Sequence, residues 1–162
     1  MNEAAIGFGL GVYYDHWGNL ADAYHFTPGN EAKAAEAYRK AIELVEKELS
    51  ATLGDSHLHS SLAGFLAKSG FPDRARTEIA EALRLTPGDL SVVLKSVLVF
   101  ELSGARPQAI EALRNYARLK GPMDEIAKDP FLAGLRQDRG YADVIEGKSA
   151  GEAGTKPDKI KN

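Results

Sequence analysis

The segment "DSHLHSS" at residues 55–61 collects an acid, two histidines and three serines within seven positions. Such residue types can build a nucleophilic triad or a metal site. On a helix, however, His57 and His59 lie about 200° apart, so they point to nearly opposite faces and cannot bind one metal ion. His57 and Ser61 share a face, but Asp55 is placed to cap the helix and nothing in the segment organises an oxyanion hole. We therefore predict no catalytic residues here.

The remaining candidates for chemistry are equally weak. His16 and His25 are nine positions apart, which again places them on opposite helix faces. "GFGLG" at 7–11 contains closely spaced glycines, but no Lys-Ser or Lys-Thr follows, as a phosphate-binding loop requires. We predict no metal, no cofactor, no small-molecule substrate and no enzymatic activity.

Composition narrows the classes of function further. The chain has 44% apolar and 27% charged residues, as in ordinary globular proteins. It has no cysteine, which fits a reducing compartment, and we predict a cytoplasmic protein. The net charge of −3 offers no general attraction to nucleic acid. No apolar run reaches the roughly 20 residues that cross a bilayer, so we predict no membrane insertion.

A repeated tetrapeptide indicates how the structural elements that hold these residues are organised. "TPGN" occupies 27–30, "TLGD" 52–55 and "TPGD" 86–89, and the last two are 34 positions apart. At this offset Leu66 falls on Phe100, Gly70 on Gly104 and Ala75 on Ala109. A fixed period of this size is typical of solenoids, whose units bury their apolar faces only against their neighbours.

Within each period the apolar residues have helical spacing. In 56–69 they are Leu58, Leu62, Phe65 and Leu66, and in 72–85 they are Ala75, Ile79, Ala82 and Leu83. Asp55 and Asp89 are predicted N-caps, and Gly70 and Gly104 are predicted left-handed helix ends. Pro72 and Pro107 suit the first turn of the helix that follows. We also expect Ala63 and Ala75 to let two helices approach closely.

These positions resemble the tetratricopeptide repeat family. The unit at 56–89 supplies Leu62, Ala63, Leu66, Gly70, Ala75, Ile79, Ala82 and Pro87 in phase with the family pattern. The unit at 90–122 supplies Val97, Phe100, Gly104, Ala109 and Leu113 but departs from the pattern at Ser96 and Tyr116. An earlier unit, 14–53, supplies Trp17, Leu20, Ala21, Tyr24, Ala34, Tyr38 and Ala41. Its second helix should run to about Thr52 and carry the ion pairs Glu36–Lys40 and Glu43–Lys47.

The resemblance implies an all-α fold, a right-handed α-solenoid of three helical hairpins. Residues 123–146 resemble the capping segment that ends such arrays in large bacterial signalling proteins, which carry a kinase or DNA-binding domain upstream. Six apolar residues should cover the open end of the solenoid, while Arg136, Asp138 and Arg139 face water; the six are Phe131, Leu132, Leu135, Tyr141, Val144 and Ile145. We interpret residues 1–13 as an N-terminal packing segment and 147–162 as a disordered tail. The chain could be the C-terminal part of a longer protein or a whole one.

The resemblance also implies that the first helices line a concave groove for a partner peptide or protein segment. The positions carried over are Asp15, Asn19, Asp22, His25, His57, Ser60, Gly64, Lys68, Ser91, Leu94, Leu98, Glu101 and Leu102. Few of them are basic, so the tail of a heat-shock chaperone is not the expected ligand. The predicted function is protein–protein interaction within a signalling or assembly protein. The alternative is a structural or dimerisation region without a separate ligand, in which a second copy or the N-terminal segment covers the apolar end of the groove.

Overall fold

The computed structural model describes the backbone of residues 10–147 and the side chains from Tyr13 onward. That part of the chain contains eight α-helices and no strand: α1 Leu10–His25, α2 Glu31–Ala51, α3 Ser56–Lys68, α4 Pro72–Leu85, α5 Leu90–Leu102, α6 Arg106–Arg118, α7 Met123–Lys128 and α8 Arg139–Ile145. Two short 3-10 turns, Pro130–Leu132 and Leu135–Gln137, separate α7 from α8. The all-α prediction is confirmed. Most of the proposed N-terminal packing segment and tail, residues 1–9 and 148–162, lies outside the described residues.

The first six helices pack as three consecutive pairs, α1 with α2, α3 with α4 and α5 with α6. Neighbouring pairs are joined through α2 and α3, through α4 and α5, and through the two first helices α3 and α5. Across residues 10–147, no extended helix packing joins the first pair to the third. Each pair therefore buries its apolar side mainly on the pair next to it, which is the packing expected of a helical repeat.

Two of the three repeated tetrapeptides end in the N-caps of the first helices α3 and α5, whereas Asn30 of the third precedes the second helix α2 and makes no side-chain capping bond. The carboxylate of Asp55 accepts hydrogen bonds from the amides of His57 and Leu58, at 2.9 and 3.1 Å. Asp89 accepts from the amides of Ser91 and Val92 in the same way, at 2.9 and 3.0 Å. These bonds satisfy amides that have no partner inside the helix, so both predicted N-caps are confirmed.

The first helices of the second and third pairs end in the same left-handed turn. Gly70 and Gly104 have φ angles of +80° and +71°, a conformation in which a Cβ atom is strained. Pro72 begins α4 and Pro107 is the second residue of α6, where a missing amide proton costs no helical hydrogen bond. The third such turn, at the end of α6, departs from this rule because Lys120 adopts φ of +60°.

Two apolar clusters form the interior. The first contains residues of α1, α2, α3 and α4 together with Val92 and Val99 of α5, and the second joins α5 and α6 to the C-terminal segment. Ala63 and Ala75 are fully buried in the first cluster, as expected for a close helix approach. In the second cluster the bulky Tyr116 is also buried, with its hydroxyl 3.3 Å from a carboxylate oxygen of Glu125. Tyr116, where the sequence departs from the repeat pattern, therefore helps to pack α7 against the third pair.

The C-terminal segment packs on the third pair and differs from the prediction at three residues. Ile126, Leu132 and Leu135 are fully buried against α5 and α6. Ile145, the last residue of α8, is 51% exposed and belongs to neither apolar cluster. Arg136 does not simply face water, since its guanidinium donates to the carbonyl oxygens of Ile126 and Asp129 at 3.0 and 2.6 Å. Asp138 accepts from the Gly140 amide at 2.8 Å and lies 3.6 Å from Arg106.

Helix α2 differs from prediction in its surface ion pairs. Arg39 takes both acids, pairing with Glu36 on one side and Glu43 on the other. The predicted Glu36–Lys40 and Glu43–Lys47 pairs are not formed. Arg39 lies between the two acids, and its guanidinium has two donor edges, so it can bind both at once. A lysine ammonium has a single charged centre and lacks these two edges.

Candidate functional site

The candidate site is the face formed by the first helices α1, α3 and α5. Helix α1 contacts α3 at Gly18, where a Cβ atom would lie too close to the Phe65 Cε1 atom for a van der Waals contact. Tyr14 meets the same ring edge-on, with 6.3 Å between ring centroids. Helix α3 packs directly on α5. The three first helices thus lie side by side, and their outward side chains share one surface.

The α1 side of this surface is acidic and polar. Asp15 and Asn19 are exposed, and Asp22 is half-buried. The two oxygens of Asp22 accept hydrogen bonds from the Lys68 ammonium at 2.9 and 2.7 Å, and one also accepts from the Tyr38 hydroxyl at 2.5 Å. Burial, together with Asp22, raises the pKa of Tyr38 far above its ordinary value. Tyr38 therefore stays a neutral donor, and this network fixes α1, α2 and α3 relative to one another.

A second lysine, which the sequence analysis did not place in the site, lies beside this network. The aliphatic part of Lys95 on α5 crosses over Gly64, and a Cβ atom there would approach the Lys95 Cδ to 2.9 Å. Unlike Lys68, Lys95 has no ion pair or hydrogen bond to another described residue. Asp15, Asp22 and Asp129 attract it from a distance and Lys68 repels it.

The electrostatics of Lys95 follow from this placement. Part of the side chain is exposed, but the surrounding atoms exclude most water from its amine. Burial, with repulsion from Lys68, lowers the pKa of Lys95 below its ordinary value. The only sequence signal was a lysine in the middle of the mostly apolar run "LSVVLKSVLVFEL" of α5, whose other charge, Glu101, lies near the end of the helix.

The α5 side of the surface is mostly occupied by internal contacts. Ser91 is exposed and Leu94 half-buried, whereas only 5% of Leu98 is accessible because it belongs to the second core cluster. Glu101 is ion-paired with Arg106 at the start of α6. Leu102 is half-buried and packs against both clusters. On this side a partner would therefore meet Ser91, Leu94 and Lys95 before it met the other predicted residues.

The α3 residues between these two sides are also partly used. Ser60 is buried and its hydroxyl donates to the His57 carbonyl at 2.9 Å. Gly64 is covered by Lys95. The exposed His57 ring lies 3.2 Å from the Ser91 hydroxyl. Of the predicted positions on this helix, His57 and Lys68 are the ones that present polar atoms to the groove.

The structure brings His57, Ser91 and Asp89 together in place of the His57, Ser61 and Asp55 considered from sequence. The Ser91 hydroxyl donates to Asp89 at 2.8 Å, and the same carboxylate caps α5. The serine proton is therefore directed to Asp89 and not to the imidazole. His59 points elsewhere, to Glu78 on α4 at 2.7 Å and to the Leu53 carbonyl at 3.1 Å. Within residues 10–147, no group of acids and histidines has the arrangement of a metal site.

The C-terminal segment closes one end of the groove. The Phe131 ring lies 4.8 Å from the Phe26 ring and 5.1 Å from the His25 ring, at the end of α1. The Lys68 ammonium lies 4.4 Å from the Phe131 centroid, in a cation–π contact. The predicted groove residues thus divide into two ends. At the covered end Phe131 contacts Lys68, which is paired with Asp22, and His25, which stays exposed. The open end has Asp15, Asn19, His57, Ser91 and Leu94.

A second and more apolar cleft of about 710 Å³ lies between α2 and the turn that precedes α4, and it shares His25 and Lys68 with the predicted groove. Ile42, Leu66 and the half-exposed Phe71 contribute its apolar walls. The pairs Arg39–Glu43 and Arg74–Glu46 neutralise part of its rim.

Comparisons with known proteins add no relative to this picture. No protein-family model matches the sequence, and no curated protein shows significant similarity to it. Among the described residues, no helix is long and apolar enough to cross a membrane.

Proposed function

We propose that this chain is a protein–protein interaction module of the tetratricopeptide type, without enzymatic activity. In this proposal a partner peptide or protein segment lies along the concave face of a right-handed array of three helical hairpins. The observation that supports it most directly is the open end of the groove. There Asp15, Asn19, His57 and Ser91 stand on three neighbouring helices with their side chains exposed.

The chemistry of the open end favours an extended segment with polar and basic side chains. Asp15 has no ion pair with another described residue, and Asn19 can both donate and accept hydrogen bonds. Leu94 adds apolar area between Ser91 and Lys95. Exposed side chains of this kind, held on rigid helices, lose little conformational freedom when a peptide binds. We propose a cytoplasmic signalling or assembly protein as the setting, on the resemblance alone.

The test is a selection of displayed random peptides on the immobilised protein, followed by affinity measurements in solution. The double variant Asp15→Lys with Leu94→Glu should weaken the selected peptides by about tenfold or more, since it removes a charge and an apolar contact. The matched control is Ala80→Lys with Gln108→Glu, which also introduces one lysine and one glutamate, at exposed positions on the second helices α4 and α6.

Two outcomes would contradict the proposal. Peptides that bind the groove double variant as tightly as the parent protein would place the binding surface elsewhere. If no peptide is selected and light scattering shows a stable dimer that the same double variant dissociates, the alternative of a dimerisation region is supported in its place.

A further inference from the structure

The covered end of the groove is occupied by the chain itself. Phe131 belongs to the 3-10 turn Pro130–Leu132, which packs on α5, and its ring reaches across to α1 and α3. Its contacts, Phe26, His25 and Lys68, include two of the residues predicted from sequence to bind a partner. An aromatic ring therefore already sits where the partner segment was expected.

The backbone that carries Phe131 is held independently of the ring. Leu132 is fully buried, and the carboxylate of Asp129 accepts a hydrogen bond from the Phe131 amide at 2.9 Å. Arg136 donates to the Asp129 carbonyl at 2.6 Å. The ring itself is only half-buried. A rotation about its side-chain bonds can thus withdraw the ring while the capping segment stays in place.

The surface that receives the ring is likewise fixed without it. Lys68 is held by two hydrogen bonds to Asp22, which in turn accepts from Tyr38. This arrangement keeps the ammonium at the position from which it faces an aromatic ring. His25 and Phe26 add a wall of aromatic edges, with 4.9 Å between their centroids. Phe26 and Lys68 also border a cleft of about 560 Å³ beside the Phe131 ring, within the usual range of roughly 300–1,000 Å³ for ligand sites. Charged residues of α1 and of the capping segment complete its walls: Asp22, Glu125, Lys128 and Asp129.

We propose that His25, Phe26 and Lys68 form a receptor for an aromatic side chain, filled by Phe131 in the free protein and by an aromatic residue of the partner segment in the complex. The second half of this statement rests on the proposed function. A fixed cation beside aromatic edges selects a π-system over an aliphatic side chain of similar size. The partner's ring must displace Phe131, so the intramolecular contact lowers the apparent affinity of the free module.

The first experiment needs no partner. N-acetyl-phenylalanine amide, an uncharged aromatic probe, is titrated into the ¹⁵N-labelled protein and its Phe131→Ala variant. Because the vacated receptor no longer has a competing ring, the variant should bind about tenfold more tightly than the parent. Saturable shifts should appear at the amides of residues 25, 26 and 68. N-acetyl-leucine amide is the aliphatic probe and should bind the variant more weakly.

Two variants make the result specific. Tyr13→Ala removes another half-exposed aromatic residue, about three helical turns before His25 on α1, and should leave the affinity at residues 25, 26 and 68 unchanged. Phe131→Leu keeps apolar volume on the capping segment and should also bind the aromatic probe more tightly than the parent, which covers the case in which Phe131→Ala does not fold. Equal affinities for the two probes, or no saturable shift in either Phe131 variant, would overturn the receptor.

The second experiment tests the link to the partner. Peptides selected by display on the Phe131→Ala variant should be enriched in Phe, Tyr or Trp. They should bind the double variant Phe131→Ala with Lys68→Met more weakly than they bind Phe131→Ala. Selected peptides without aromatic enrichment would overturn the partner's use of the receptor and leave groove binding intact. If neither form selects any peptide, the proposed function fails, whereas the probe titration still decides whether the receptor exists.

Discussion

The second and third helical pairs are built on the same frame but present different surfaces. Asp55 and Asp89 cap the first helix of each pair in the same way, and Gly70 and Gly104 have similar positive φ angles at the end of that helix. Ala75 and Ala109 are both fully buried. When the two pairs are aligned with the offset of 34 residues, the outward positions differ. Ser61 aligns with Lys95, Gly64 with Leu98, and Lys68 with Leu102. Capping and close packing accept few residue types, whereas an outward position accepts many, so the repeat is strict where the fold requires it and free where a ligand would bind.

The largest expected effect tests the shared frame. Ala75→Leu and Ala109→Leu each add three carbon atoms at fully buried positions between helices, so each should lower the free energy of unfolding by roughly 1–3 kcal/mol. Denaturant titration followed by circular dichroism gives both values. If one substitution is neutral, the two pairs are not packed in the same way. Ala80→Leu, at an exposed position of α4, is the control and should change little.

The two groove lysines should respond in opposite directions. Lys68→Leu leaves Asp22 with Tyr38 alone and should destabilise the protein by about 1–2 kcal/mol, discounted for the partial exposure of the pair. Lys95→Met removes a desolvated amine that has no ion-pair partner within residues 10–147 and should stabilise the protein by about 1 kcal/mol near neutral pH. Thermal unfolding measures both.

The pH dependence of the Lys95→Met effect checks its cause. Because burial lowers the pKa of Lys95 in the folded state, the unfolded chain holds this proton more tightly. The stability of the parent relative to Lys95→Met should therefore improve as pH rises from the lowered pKa toward the ordinary value of about 10.4. An advantage of Lys95→Met that is constant from about pH 7 to pH 10 would show that the amine is not desolvated in solution.

The two N-caps should contribute equally. Asp55→Ala and Asp89→Ala each remove two hydrogen bonds to helix amides and should each cost about 1 kcal/mol. Replacement by Asn, which retains an acceptor oxygen, should restore most of the loss in both cases. Melting temperatures suffice for this comparison, and a clear inequality between the two alanine variants would show that Asp89 gains from its neighbours His57 and Ser91.

The smallest effect belongs to the second pair alone, where His59 and Glu78 stand at positions that Val93 and Ala112 hold in the third. Burial acts to lower the pKa of His59, but its bonds to Glu78 and to the Leu53 carbonyl outweigh burial and raise it. Stability from this contact is then complete below the unfolded pKa of about 6.5 and is lost as pH rises through the raised folded value. His59→Gln should therefore cost more at about pH 5.5 than at about pH 8.5, by less than about 1 kcal/mol. Equal costs would contradict the charged pair.

Much of the frame was predictable because its causes are local. An N-cap favours an acceptor side chain such as Asp one residue before the helix, a left-handed end favours glycine, and burial favours apolar residues at helical spacing. All three signals lie within one repeat. Predictions failed where the outcome depended on other groups, as when Arg39 paired with both acids of α2 and when Ile145, predicted to cover the end of the solenoid, stayed half-exposed.

The sequence by itself determined that this protein is helical, where its central helices begin and end, and which residues they bury. These features depend on caps, helix-ending glycines and apolar spacing, all of which involve residues close together in the chain. Only the tertiary structure decided that Lys68 is paired whereas Lys95 has no ion pair with another described residue, and that Phe131 lies against His25 and Phe26. Those outcomes depend on distances between side chains separated by 46 to 106 positions in the chain. No local pattern encodes such a distance, because it is set by how three helical pairs and their capping segment stack together.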